Sequence, residues 1–213
     1  MMTLLKKLRF LFLFIVILAF CLLRAIVAQT GQRPILDIFF LVLIVLSLIG
    51  IAEQKQKFIY SLFLLGAIEI SLILMNFWSV NFPIHSLKLL FAVLFFLLMT
   101  IACLRLTLKD KTISITTLFG SLSAYLFIGL TFAYLYLLIY LFYPQSITGF
   151  EPYLETRAIY YSFITLTTVG FGDVVATGPI MQCLSWMEAF CGQAYLAIVI
   201  SLLVGRYVAT AKS

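Results

Sequence analysis

The chain has 213 residues, of which 64% are hydrophobic and 10% charged, with a mean hydropathy of +1.19. Ordinary soluble domains carry roughly 45–50% apolar and about 25% charged residues, so this composition cannot supply a water-facing surface. A soluble enzyme, a disulfide scaffold and a disordered chain are excluded. The basic residues behind the net charge of +6 flank apolar runs, so they read as topology signals and not as a nucleic-acid surface.

A membrane span takes about 20 apolar residues, and the chain offers six long apolar runs and one short one. The first covers Leu8–Ala28 and follows the basic start Lys6, Lys7 and Arg9. It also fits a cleavable signal peptide, but its length and the charge balance favour a retained helix. The second is Ile35–Ala52, opened by Pro34 and closed by a polar run from Glu53 to Lys57. The third, Phe58–Trp78, and the fourth, Ile84–Leu104, are separated by a short loop. The fifth, Ile115–Phe142, ends at Tyr143-Pro144; the short piece Ala158–Thr167 comes next, and Ile180–Val208 is the last full span.

The expected fold is an all-α membrane protein with six spanning helices and a re-entrant segment between the last two. Residues 1–107 are expected to form a four-helix unit, and residues 108–213 a second unit of two spans with the re-entrant segment between them. With the N-terminus in the cytoplasm, ten Lys and Arg residues fall on that side and four (Arg24, Arg33, Lys88 and Arg157) on the other. This bias places both termini in the cytoplasm of a multi-pass protein of the cell membrane. Cys21, Cys103, Cys183 and Cys191 lie in or beside apolar runs without metal-ligand spacing and read as small buried hydrophobes.

The segment after Ala158–Thr167 carries the chemistry. Ten residues are too few to cross a bilayer as a helix, and alternate glycines follow them. Non-helical backbone at membrane depth is tolerated where it lines a watery cavity or is buried in protein, so a re-entrant pore loop is expected. Gly170 and Gly172 permit dihedrals that a Cβ would resist. Successive carbonyls of Thr168, Val169, Gly170, Phe171 and Gly172 can then face one side and replace a cation's hydration shell, with the Thr168 hydroxyl below them. Asp173, Glu151 and Glu155 place acidic charge at the outer mouth, where it raises the local cation concentration.

Thr168-Val169-Gly170-Phe171-Gly172-Asp173 resembles the selectivity-filter signature of the potassium channel family. The resemblance extends more loosely over Ile115–Val208, which has the family's order of outer helix, pore helix, filter and inner helix. It implies potassium as the permeating ion, no other cofactor, no nucleic acid, and a homotetramer in the lipid bilayer, because one chain gives one filter strand and the carbonyl ring needs four. Gly192 sits where the family often has an inner-helix hinge. Many members have Tyr where this chain has Phe171, and the missing hydroxyl removes a hydrogen bond worth about 0.5–1.5 kcal/mol. A weakly selective monovalent cation channel is therefore the first alternative, and a non-conducting subunit with a vestigial pore the second. An enzyme is not expected.

Six spans resemble the voltage-gated plan, but Ile84–Leu104 lacks arginines at every third position, so steep voltage dependence is not expected. Arg24, Asp37 and Lys88 fall near outer helix ends, where they could meet. Glu69, within the third span, reads either as an ion or proton sensor or as a carboxyl that is neutral or paired in the bundle. Glu188 is expected to brace the pore helix from behind. Gln193, Leu196, Ile200 and Val204 recur at helical spacing; Ile200 and Val204 could form a hydrophobic gate, or the stripe could pack on the fifth span.

Overall fold

The computed structural model describes residues 2–30, 40, 42–45, 47, 56–78, 82–109 and 114–211. Four long helices come first: α1 (Met2–Thr30), α2 (Gln56–Trp78), α3 (Phe82–Lys109) and α4 (Ile115–Phe142). A short α5 (Leu154–Leu166) follows, and then α6 (Pro179–Tyr195), a π-helical turn (Leu196–Ile200) and α7 (Ser201–Ala211). Among the described residues, four stretches are long and apolar enough to cross a membrane: Arg9–Gln29, Pro83–Lys109, Thr116–Phe142 and Pro179–Arg206. Within α2 the apolar stretch is Tyr60–Met75. Of the expected second span, Phe40, residues 42–45 and Ser47 are described and are helical; Asp37 and the rest of Ile35–Ala52 lie outside the described residues.

Helix boundaries follow local chemistry. The Ser114 hydroxyl accepts from the Thr117 amide at 3.2 Å, and the Thr117 hydroxyl accepts from the Ser114 amide at 3.3 Å. This reciprocal cap satisfies two N–H groups that the first turn of α4 would otherwise leave unpaired. At the far end Pro144 has no amide proton to continue the ladder, and the chain tightens into a three-residue 3₁₀ turn.

α4 is the central element. One of its sides receives α1 and α3. The buried residues Phe10, Leu13, Ile17 and Phe20 recur every three or four positions and form the inward stripe of α1. The rings of Phe40 and Phe96 lie 5.5 and 5.2 Å from that of Tyr134, and Phe96 meets Phe127 at 6.0 Å. The other side of α4 holds α5, and the Phe163 ring occupies the space that a Cβ at Gly129 would need.

Candidate functional site

At 1.5 Å per residue, the 13 residues of α5 reach about 20 Å, short of the roughly 30 Å hydrocarbon layer. α5 and the strand after it are closed off as a loop by a two-residue antiparallel ribbon, β1 (Ile147–Thr148) against β2 (Val175–Ala176). The Ser146 carbonyl accepts from the Thr177 and Gly178 amides at 2.8 and 2.9 Å, and the Thr177 hydroxyl donates to the Gln145 carbonyl at 2.7 Å. Chain entry and exit are thereby tied together, and the short helix descends and returns between α4 and α6.

The backbone of the expected filter, Thr168–Gly172, alternates in hand. Thr168, Gly170 and Gly172 have φ of 59°, 53° and 78°, whereas Val169 and Phe171 keep negative φ. Alternating left- and right-handed residues turn successive peptide planes the same way. The hydrogen bonds agree with this arrangement. The Thr168 amide donates to the Thr165 carbonyl at 2.9 Å, and the Val169 and Gly170 amides donate to the Ile164 carbonyl at 2.8 and 3.1 Å. In a trans peptide the carbonyl opposes the N–H, so the carbonyls of Thr167, Thr168 and Val169 point away from α5. A Cβ at Gly170 or Gly172 would meet nothing within 4 Å, so that side is open. Thr168 is the non-glycine residue in the left-handed region among the described residues, a costly conformation for a β-branched side chain.

Behind the filter lies a buried polar knot. Glu188, fully buried on α6, accepts from the Tyr136 hydroxyl of α4 at 2.6 Å and from the Ser162 hydroxyl of α5 at 2.5 Å. Ser162 Oγ is also 2.6 Å from the Gly129 carbonyl, and the Tyr161 and Ser185 hydroxyls meet at 2.6 Å. These groups join α4, α5 and α6.

The acids of the outer mouth are not free charges. Asp173 accepts from Arg157 Nη1 at 3.0 Å and from the Tyr160 hydroxyl at 2.9 Å, which ties the end of the filter to the first turns of α5. Glu155 pairs with Arg24 of α1. Arg24 is 3% exposed, continues the inward stripe of α1, and also donates to the Tyr134 hydroxyl at 3.0 Å. Glu151 accepts from the Tyr140 hydroxyl at 3.4 Å. The sequence expectation put Arg24 near Asp37 and Lys88; its contact with the pore helix was missed, because it joins residues far apart in the chain.

On the inner helix, Gly192 lies in regular α-helix and is wedged under the pore helix. A Cβ there would overlap the Leu166 carbonyl oxygen. The departure from α geometry comes later, over Leu196–Ile200. A π turn holds an extra residue, so Gln193, Leu196, Ile200 and Val204 do not continue one straight α-helical face, although all four are exposed in the single chain. The amide Nε2 of Gln193 lies 3.2 Å from Thr168 Oγ1, at the base of the filter. Glu69 is fully buried on α2, away from this site. The four cysteines are free, and Cys183 and Cys191 are exposed in the single chain, not buried as expected.

The fold is that of an α-helical, multi-pass membrane protein, and residues 120–209, from α4 to α7, match the family model described as ion channel. Several potassium channels are similar over part of the chain. The inward rectifier potassium channel Kirbac3.1 of Paramagnetospirillum magnetotacticum is 34% identical over 73 residues, 34% of this chain and 25% of its own. Potassium channel subfamily K member 16 of Mus musculus is 37% identical over 73 residues, 31% of this chain and 25% of its own. Subfamily K member 2 of Homo sapiens is 41% identical over 59 residues, 25% of this chain and 14% of its own. The chain thus spans a quarter or less of the length of these relatives. No solved structure matches it.

Proposed function

We propose that this chain is the subunit of a potassium-selective channel in which four copies surround one axis and conduct passively. The observation that carries the reading is the alternating backbone at Thr168–Gly172, whose first three amides, of Thr168, Val169 and Gly170, turn back onto α5 while the carbonyls of the same peptides turn away. Four such strands would stack rings of oxygens in place of a hydration shell. The side chains behind the filter favour a multimer: Phe171 is 69% exposed and Val169 53% exposed in the single chain, rings and methyl groups that a neighbouring copy would cover.

In this reading Asp173 works mainly as a strut. Its charge is met by Arg157, so it holds the outer end of the filter more than it adds to a field at the mouth. Glu188 is the matching strut behind α5. Residues 1–107 act as a six-span channel's peripheral domain without a row of gating arginines, with both termini cytoplasmic. Ile200 and Val204 close the inner end, and the π turn is where that end bends, since such turns are a recognised cause of helix kinks.

Purified protein in liposomes tests the reading. A reversal potential that follows the potassium gradient and ignores an equal sodium gradient is expected. Equal response to both ions would leave only the weakly selective channel, consistent with the hydroxyl missing at Phe171. No flux from an assembled protein would leave the non-conducting subunit.

A further inference from the structure

We infer that Gln193 is a positioning residue of the innermost ion site, holding the Thr168 hydroxyl in the orientation that binds a potassium-sized cation. This rests on the channel reading above and concerns one ring of that same pathway.

The backbone on either side of Gln193 is fixed. Gly192 is pressed against the Leu166 carbonyl, which also accepts from the Tyr125 hydroxyl at 3.2 Å. Two residues on, the Tyr195 hydroxyl donates to the Ser121 carbonyl at 2.5 Å, and its ring lies 5.3 Å from that of Tyr125. α4 and α5 thus clamp α6 around Gln193, and its side chain reaches up to Thr168 Oγ1 at 3.2 Å.

The filter base needs such a contact. Thr168 is held at φ 59°, outside helix and strand, so no regular ladder sets its side chain. A hydroxyl has one proton and two lone pairs. When the Gln193 amide donates to one lone pair, the other stays available to a cation and the hydroxyl proton is turned aside. Without that donor, Oγ1 is free to rotate and present its methyl neighbour or its proton to the pathway. Repeated in four copies, the contact decides whether the lowest ring of oxygens binds a bare cation. The amide Oε1 of Gln193, on the exposed face below the filter, is left for the hydrated cation next in line.

Barium is the probe, a divalent ion of potassium's size that tests the innermost ring. Full-length protein in liposomes is assayed for potassium-gradient flux and for the barium concentration that halves it, and barium binding in detergent is measured by calorimetry. Gln193→Met keeps length and removes the donor; a weakening of barium affinity by about tenfold, with the assembled state retained, is expected. Gln193→Glu keeps length and polarity and adds charge; tighter barium binding by about tenfold is expected. Barium affinity within twofold of wild type in either variant overturns the assignment. A wild-type protein whose flux ignores the potassium gradient removes the channel reading itself and the assignment with it, an outcome that does not depend on the variants.

Discussion

On one side of α4, the peripheral helices meet it through rings and aliphatic side chains: Phe20, Phe40, Phe96 and Phe127 pack around Tyr134 with centroid separations of 5.2 to 6.0 Å. On its other side, α5 and α6 meet it through hydroxyls, a carboxyl and main-chain carbonyls, in the Tyr136–Glu188–Ser162–Gly129 knot and the Tyr125–Leu166 contact. The difference follows from backbone geometry. A straight helix in lipid satisfies its own polar groups and needs only shape from its neighbours, whereas a half-length helix ending in an extended strand leaves amides and carbonyls that must be held in place. Apolar packing sets distance; directional hydrogen bonds set orientation, and an ion site needs orientation.

Substitutions on the two sides of α4 should therefore fail differently. Glu188→Leu removes the acceptor of the buried Tyr136 hydroxyl, costing about 1–3 kcal/mol, and leaves Ser162 with the Gly129 carbonyl alone. It should lower the unfolding midpoint of the tetramer and abolish potassium selectivity in whatever assembles, as read by paired potassium and sodium fluxes. Phe96→Ala opens a cavity among the rings. Its cost should be on the order of 2 kcal/mol, below the ~3–5 kcal/mol of a water-soluble core because lipid and not water is the outside reference. Thermal unfolding should register it while the flux ratio stays at the wild-type value. Selectivity lost in Phe96→Ala would break the comparison.

Arg24 crosses the divide, linking the peripheral helices to the start of the pore helix through Glu155. Removing one member of a buried pair costs about 3–5 kcal/mol, while replacing both with apolar groups is often neutral. Glu155→Leu, which leaves the buried Arg24 without its carboxylate, should therefore be strongly destabilising, and Glu155→Leu with Arg24→Met should recover most of the loss in thermal unfolding. Additive losses would mean that the two side chains act separately. The smallest effect is expected from Phe171→Tyr. A new hydroxyl near the pore helix is worth about 0.5–1.5 kcal/mol and should raise the potassium-to-sodium flux ratio only a few-fold.

Much of the site was legible because its signals are local. The half-length apolar run, the alternate glycines and the acid after them lie within Ala158–Asp173, and Glu188 stood out as a carboxyl in an apolar helix. What was not legible depends on folding back. Asp173 and Glu155 read as free charges until the loop brings Arg157 under one and α1 brings Arg24 beside the other. Gly192 read as a hinge by position, but its small size is explained by the carbonyl it touches. The π turn at Leu196–Ile200 follows no Pro or Gly within it, so nothing in the local sequence marks it.

The most direct measurement is the density of a heavy potassium analogue, thallium or rubidium, in the assembled protein. A column of several peaks on a four-fold axis between Thr168 and Gly172, ringed by main-chain oxygens, is the expected result. An axis without ion peaks there, or one with those oxygens facing outward, would contradict the carbonyl-stack mechanism.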